Sequence, residues 1–410
     1  MSYNYDPVIE EKFLKLRNPN FETLLRKLTT LEILVLSCVD ISSKVPDALT
    51  NFTSLKELHL RDCELYGDFP AKIFPLPNLQ SLNLELNENL TGHLPEFQKK
   101  SPLTRLRIRG TNFFGTLPYS IEKLDSLEIL EVYECNFSGP IPSSLGKLTQ
   151  LTYLYLYNNS FNGNILSSLQ NLTHLTELLL NSNQLTGPIP PWLGNLTKLA
   201  ELCLQENLLH GQVPQSLSTL VNLENLFLNL NNLGGNLKFD MFLNNMKSLT
   251  QLQLNNNNLS LIFVKPNKNA TVSKFKLLSL NACNLRKFPY FLKHQNELEW
   301  LVLKKNKIRG RIPNWMWNAS VDTLVMFDVV DNLLTSFDEL PDQVLPWVNL
   351  KDFDILMNML QGPLPIPPPS IFGYEISNNI LTGEISPLFC NMSSLSILDL
   401  SNNNLGGIIP

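Results

Sequence analysis

"NLTHLTELLLNSNQLTGPIP" runs from Asn171 to Pro190, and "NLTKLAELCLQENLLHGQVP" follows from Asn195 to Pro214, 24 residues later. Working outward from this pair, the same frame extends along the chain. Units open at Leu31, Leu55, Leu79, Leu103, Leu127, Leu151, Leu175, Leu199 and Leu223. They continue at looser spacing from Leu249, Phe275, Leu298, Leu324, Leu350, Ile371 and Leu395, making sixteen units in all. Each reads approximately L-x-x-L-x-L-x-x-N-x-L-x-G-x-I-P, followed by an outer stretch such as "SSLGKLTQ" (Ser143–Gln150).

Every fixed slot has a physical reason. Slots four and six are apolar in all sixteen units, the period of a short strand with one buried face. Slot nine is Asn in eleven units, where a side-chain amide can satisfy the backbone of a turn leaving the sheet. Slot thirteen is Gly in twelve units, counting Gly92 after a one-residue insertion, which implies positive φ or close approach between coils. One such unit cannot bury its own apolar face, so neighbours must stack. The sequence therefore predicts an α/β repeat solenoid with a parallel sheet on its concave face. Residues 31–410 read as one elongated domain, although length alone would suggest two or three globular ones. Residues 1–30 read as the remnant of a broken repeat without a cap, with Leu24, Leu25 and Leu28 at helical spacing.

Composition excludes several classes of function. The net charge is −5 with no basic stripe, so nucleic acid is not an expected partner. No run of about 20 apolar residues appears, and the N-terminus lacks the apolar core of a secretion signal. Phosphate-loop, nucleophile-elbow, zinc-protease and dinucleotide motifs are absent, as is any set of kinase signatures. The five histidines share neither a slot nor ligand spacing, and pairs such as Glu131 and Glu134 have no implied pocket for acid–base work. An enzyme is not expected, nor is a metal or other cofactor. Cys63, Cys135 and Cys283 occupy slot nine as small substitutes for Asn; Cys203 is placed on the exposed strand face and Cys390 in the outer segment. A bridge between Cys38 and Cys63, on adjacent coils, is left open.

Ten Asn-x-Ser/Thr triplets begin at Asn51, Asn89, Asn136, Asn158, Asn171, Asn195, Asn258, Asn269, Asn318 and Asn391. Six of them (Asn51, Asn171, Asn195, Asn269, Asn318, Asn391) fall at slot 21, between apolar positions of the outer segment. Copied repeats multiply such triplets by chance, yet these persist in diverged units, which favours a secreted surface.

The blocks "LTGPIPPWLGNLTKLAELCLQENLLHGQVP" and "LSILDLSNNNLGGIIP" (Leu395–Pro410) resemble plant-specific extracellular leucine-rich repeats, over about residues 31–410. That resemblance implies a horseshoe whose x-G-x-I-P block forms a second short strand. A narrower resemblance lies in "FKLLSLNACNLRKFPYFLKHQNELEWL", "RIPNWMWN", "LPWVNL" and "MLQGPLPIPPPSIFGYEISNNILTGEIS". These look like ectodomains of plant receptor-like proteins, the kinase-lacking cell-surface receptors. The resemblance implies a non-catalytic ectodomain on the extracellular side of the plasma membrane. It would recognise a peptide or protein ligand in defence or peptide signalling, through a partner receptor kinase. The signal peptide, cysteine-paired cap, interrupting island and membrane helix of that family are not in this sequence, so a fragment is expected. Two alternatives stay open: a secreted inhibitor of microbial cell-wall hydrolases, and the ectodomain of a receptor kinase.

Slots 2, 3, 5, 7 and 8 are free of core duty and should face the concave side. There the sequence collects Arg105, Arg107, Arg109, Glu131, Tyr133, Tyr153, Tyr155, Tyr157, Leu179 and Phe227. Arginine and aromatics most often anchor protein interfaces, so repeats four to nine are the expected ligand surface. Without polar caps, Leu31, Leu34 and Leu36 at one end and Leu398, Leu400 and Ile409 at the other should be poorly covered, favouring fraying or self-association.

Overall fold

The computed structural model describes residues 5–6, 11–12, 14–26, 28–243, 245–263, 273–338 and 344–410. They form two compact units, Met1–Leu209 (unit 1) and His210–Pro410 (unit 2).

Each unit carries eight parallel strands, and all sixteen occupy slots three to five of their repeats. In unit 1 they are Ile33–Val35, Glu57–His59, Ser81–Asn83, Arg105–Arg107, Ile129–Glu131, Tyr153–Tyr155, Glu177–Leu179 and Glu201–Cys203. In unit 2 they are Asn225–Phe227, Gln251–Gln253, Leu277–Ser279, Trp300–Val302, Met326–Asp328, Asp352–Asp354, Gly373–Glu375 and Ile397–Asp399. Register runs slot to slot, as in Ile129 opposite Tyr153 and Glu131 opposite Tyr155. Slot four therefore points inward on every strand, and Leu58, Leu106, Leu154 and Leu202 are completely buried.

Asn in slot nine behaves as its chemistry requires. The Asn207 amide donates to the carbonyls of Leu180, Leu204 and Gln205 (3.0–3.3 Å) and accepts from the Leu185 N–H (2.9 Å). It thereby joins two repeats. Where the slot is Cys, the thiol takes over part of this work: Cys135 Sγ donates to the Ile108 carbonyl at 3.1 Å and the Tyr133 carbonyl at 3.3 Å. No disulfide joins Cys38 to Cys63; Cys63 Sγ instead reaches the Leu36 carbonyl at 3.1 Å.

Slot thirteen meets both expectations. Eleven of its twelve glycines have φ between +75° and +97°, which glycine adopts without strain. The twelfth, Gly92, has the Phe113 ring 2.8 Å from where a Cβ would stand. This slot feeds a second layer of short strands. Unit 1 holds one six-stranded sheet built from Tyr66–Asp68, Asn89–Gly92, Asn112–Gly115, Asn136–Pro140, Ser160–Asn164 and Gln184–Thr186. In unit 2 the second layer splits into sheets of three, two and three strands. Among the described residues, no second-layer strand lies between Ile262 and Arg309, the stretch in which Lys287 replaces the glycine.

The outer segments wind as 3-10 turns such as Ser143–Lys147, Pro191–Asn195 and Asn314–Asn318, entered through the slot-sixteen proline in most cases. A short α-helix, Phe21–Leu25, is capped by Asn20, whose side chain accepts from the Thr23 N–H at 2.9 Å. Its Phe21 and Leu25 are buried, and residues 14–16 pair with Asp40. This corrects the expectation for the first repeats: Leu34 is buried, and Leu31 and Leu36 are only partly exposed. At the other end Leu398 is 49% and Ile409 81% exposed, while Leu400 is partly covered.

Candidate ligand-binding surface

Strand register turns each slot into a row across the sheet, and the rows of slots three, five and seven in unit 1 carry the chemistry. The slot-seven row places Arg109, Tyr133 and Tyr157 just past the strands of consecutive repeats. The Arg109 guanidinium lies 5.0 Å from the centre of the Tyr133 ring, and that ring stacks on Tyr157 at 4.1 Å and 20°. The layers are cation, ring, ring. Tyr133 is consequently buried (6% exposed) instead of open to solvent, a correction to its expected exposure. Tyr155 meets Tyr133 edge-on at 5.9 Å, and Tyr153 meets Tyr155 at 6.1 Å.

The slot-five row carries Arg107, Glu131, Tyr155 and Leu179. Arg107 Nε donates to Glu131 Oε1 at 3.1 Å, and the Tyr155 hydroxyl donates to Glu177. Arg105 donates to Ser81 at 3.3 Å and lies 3.7 Å from Glu57, while Arg109 approaches Glu134 at 4.0 Å. The arginines are thus already matched by carboxylates of this chain. Burial raises the Glu131 carboxyl above its usual range; Arg107 opposes the shift and nearby Glu85 adds to it. Burial likewise raises the phenols of Tyr133, Tyr155 and Tyr157, so all three are neutral donors at physiological pH.

Sequence reading missed Glu57 and Glu177, the carboxylates that meet Arg105 and Tyr155, and Glu85, which adds negative charge beside Glu131. They sit in slots three and seven, so reading along a row instead of along the chain finds them. Leu179 is half-buried beside Tyr155 on the next strand. Phe227, half-buried on its strand, belongs to unit 2. Cys203, expected on the exposed face, is buried, with Sγ 3.3 Å from Glu201 Oε1; burial foremost pushes its thiol up. Among the described residues no group of His, Cys, Asp and Glu is arranged to hold a metal, and no helix is long and apolar enough to cross a membrane.

Nine of the ten sequon asparagines lie among the described residues, and all nine side chains are exposed; Asn269 lies outside them. At slot 21 the outward aim follows from the turn, since Leu193 and Leu196 on either side of Asn195 are buried.

Comparison with known proteins agrees with the repeat fold. The Leucine Rich Repeat family model matches residues 126–148, 150–172, 174–196 and 394–410. Receptor-like protein 6 of Arabidopsis thaliana is 46% identical over the whole of this chain, which spans 45% of that relative's length. The chain belongs to the plant leucine-rich-repeat receptor-like proteins. It spans less than half the length of the first curated relatives it matches. Among solved structures, the plant peptide hormone receptor RGFR1 in complex with RGF2 superposes with a TM-score of 0.74 at 30% identity, covering 93% of this chain and 61% of that one. The Arabidopsis receptor kinase HAESA, with the peptide hormone IDA and the co-receptor SERK1, gives 0.61 at 26% identity, covering 95% and 77%.

Proposed function

We propose that this receptor-like chain is part of a non-catalytic extracellular ectodomain that receives a peptide or protein ligand on the inner sheet face of unit 1. The observation that carries this is the stacked row of Arg109, Tyr133 and Tyr157, flanked by Tyr153 and Tyr155. Side chains locked this way lose little further entropy on binding, and aromatic and arginine groups supply most interface energy. The tyrosine faces would cover apolar parts of a ligand, and an acidic ligand group would compete with Glu131 for Arg107. Peptide hormones bound to RGFR1 and HAESA support the ligand class, and the co-receptor on HAESA supports signalling through a partner kinase, in defence or peptide perception. The exposed sequons support passage through the secretory route and N-glycans on the outer segments.

The test uses the chain secreted behind an added signal peptide and panned against a displayed library of random peptides. Enriched peptides should lose affinity by about 1–2 kcal/mol or more when Tyr155→Ala or Arg107→Ala is introduced. Lys147→Ala and Lys198→Ala, on the outer segments, should leave binding unchanged. Equal and negligible effects at both sets would show that this face recognises nothing.

A further inference from the structure

The outer segments hold a pairing that the ligand surface does not use. Of the five tryptophans, Trp192 and Trp315 both occupy slot 18, and each stands three residues before a sequon asparagine, Asn195 or Asn318. The other slot-21 sequons have Ala48, Ser168, Pro266 or Leu388 in that slot.

The local backbone makes three residues the decisive spacing. Pro191–Asn195 and Asn314–Asn318 are 3-10 helices, closed by Leu196 N–H to the Leu193 carbonyl (3.1 Å) and Ala319 N–H to the Met316 carbonyl (3.0 Å). In a 3-10 helix residues i and i+3 eclipse, with their Cα atoms about 6 Å apart along the axis. The inward side of each turn is taken by buried residues, Leu193 and Gly194 in one and Met316 and Trp317 in the other. Trp192 and Asn195 therefore share the outward side, as do Trp315 and Asn318. Both asparagines are exposed, and both indoles are only partly covered. At the second site Tyr290 of the preceding repeat, 50% exposed, adds a ring 6.3 Å from Trp315.

We propose that Trp192 and Trp315 are platforms for the innermost N-acetylglucosamine of N-glycans on Asn195 and Asn318. The C–H face of a pyranose carries slight positive charge and meets the negative face of the indole, while the contact removes apolar ring surface from water. The first sugar is tethered one turn away on the same side, so little freedom is lost in closing the contact. This inference rests on the secretory reading proposed above, and its test separates the two.

The full chain is secreted from cells that attach high-mannose glycans, and hydroxyl-radical footprinting reads oxidation at each tryptophan. Three forms are compared: intact glycans, glycans trimmed to the first sugar, and glycans removed entirely by an amidase. Oxidation of Trp192 and Trp315 should rise several-fold only in the third form, while Trp300 on an inner strand stays constant. Asn195→Gln should raise oxidation at Trp192 alone, and Asn318→Gln at Trp315 alone. Unchanged oxidation in all three forms at occupied sites overturns the platforms. So does occupancy at Asn51 and Asn171 with Asn195 and Asn318 empty, which leaves the secretory reading standing. Empty sequons throughout overturn both.

Discussion

In unit 1 slot four is leucine in all eight repeats, from Leu34 to Leu202; in unit 2 three consecutive strands carry Phe327, Phe353 and Tyr374 there. These rings stack at 5.6 Å and 21–22°, and Trp347, from the connection before Leu350, stacks on Phe327 at 5.1 Å. Parallel strands lie about 4.8 Å apart, close to the separation that offset aromatic rings prefer. One backbone period thus accepts either a leucine row or an aromatic row. The repeats that carry these rings run to 26, 21 and 24 residues, and other 26-residue repeats keep leucine there, so repeat length does not select the ring. The inner face changes as well. Unit 1 interleaves arginines with carboxylates, whereas slot five of unit 2 aligns Asp328, Asp354, Glu375 and Asp399 with one another. Among the described residues, Asp328 alone of these four meets a cation, Lys304 at 2.9 Å.

The contrast can be broken most sharply at Trp347. It is fully buried, and its Nε1 donates to the Ala319 carbonyl at 3.0 Å. Trp347→Ala should cost about 3–5 kcal/mol, seen as lost amide protection on Met326–Asp328 and Asp352–Asp354. Because each repeat leans on its neighbours, Ile129–Glu131 should keep its protection. Equal losses at both places would mean that the aromatic row is not a local device.

A second substitution tests what the units share. Asn207 and Asn332 make the same four hydrogen bonds, the latter to the carbonyls of Leu303, Val329 and Val330 and from the Ile308 N–H. Asn207→Ala and Asn332→Ala should each cost about 2–3 kcal/mol, since buried backbone groups lose their partners. Cys135→Ala, removing a weaker donor, should cost about 1 kcal/mol. A large difference between the two asparagines in denaturant unfolding would show that the aromatic row alters the turn beneath it.

The smallest expected effect is one of pH. Burial, helped by Asp328 and Glu375, pushes the Asp354 carboxyl up to about 7. A folded pKa above the unfolded value of about 3.9 means that the folded state holds the proton more tightly. Stability from this group is therefore full below pH 4 and lost as pH rises through 7. Exchange on Asp352–Asp354 and Gly373–Glu375, corrected for intrinsic rates, should show easier opening at about pH 7.5 than at about pH 5. Asp354→Asn should flatten the dependence. A persisting slope in that variant would place the titration elsewhere in the acidic row.

The repeat frame was open to reading because burial repeats with the chain. Slots four, six, nine and thirteen each answer to one backbone environment, so their residue types recur and all sixteen strands fall where the periodicity placed them. One further regularity was available and went unread. Slot eight has φ between +50° and +60° in every repeat, although only Gly110 there is glycine. Its trace is an absence: none of the sixteen residues is Val, Ile or Thr, the side chains that tolerate this conformation least.

By itself the sequence determined the period, the strand positions, the amide row and the glycine row, because each depends on contacts repeated at a fixed offset. It also identified the side chains free to vary on the inner face. What only the tertiary structure decided is how those side chains meet. Tyr133 lies beneath Arg109 and Tyr157, Tyr155 is tied to Glu177, and Arg107 to Glu131, across offsets of 22 to 24 residues. Slots without core duty carry no period of their own, so the partners along a row become visible only once the strands are laid side by side.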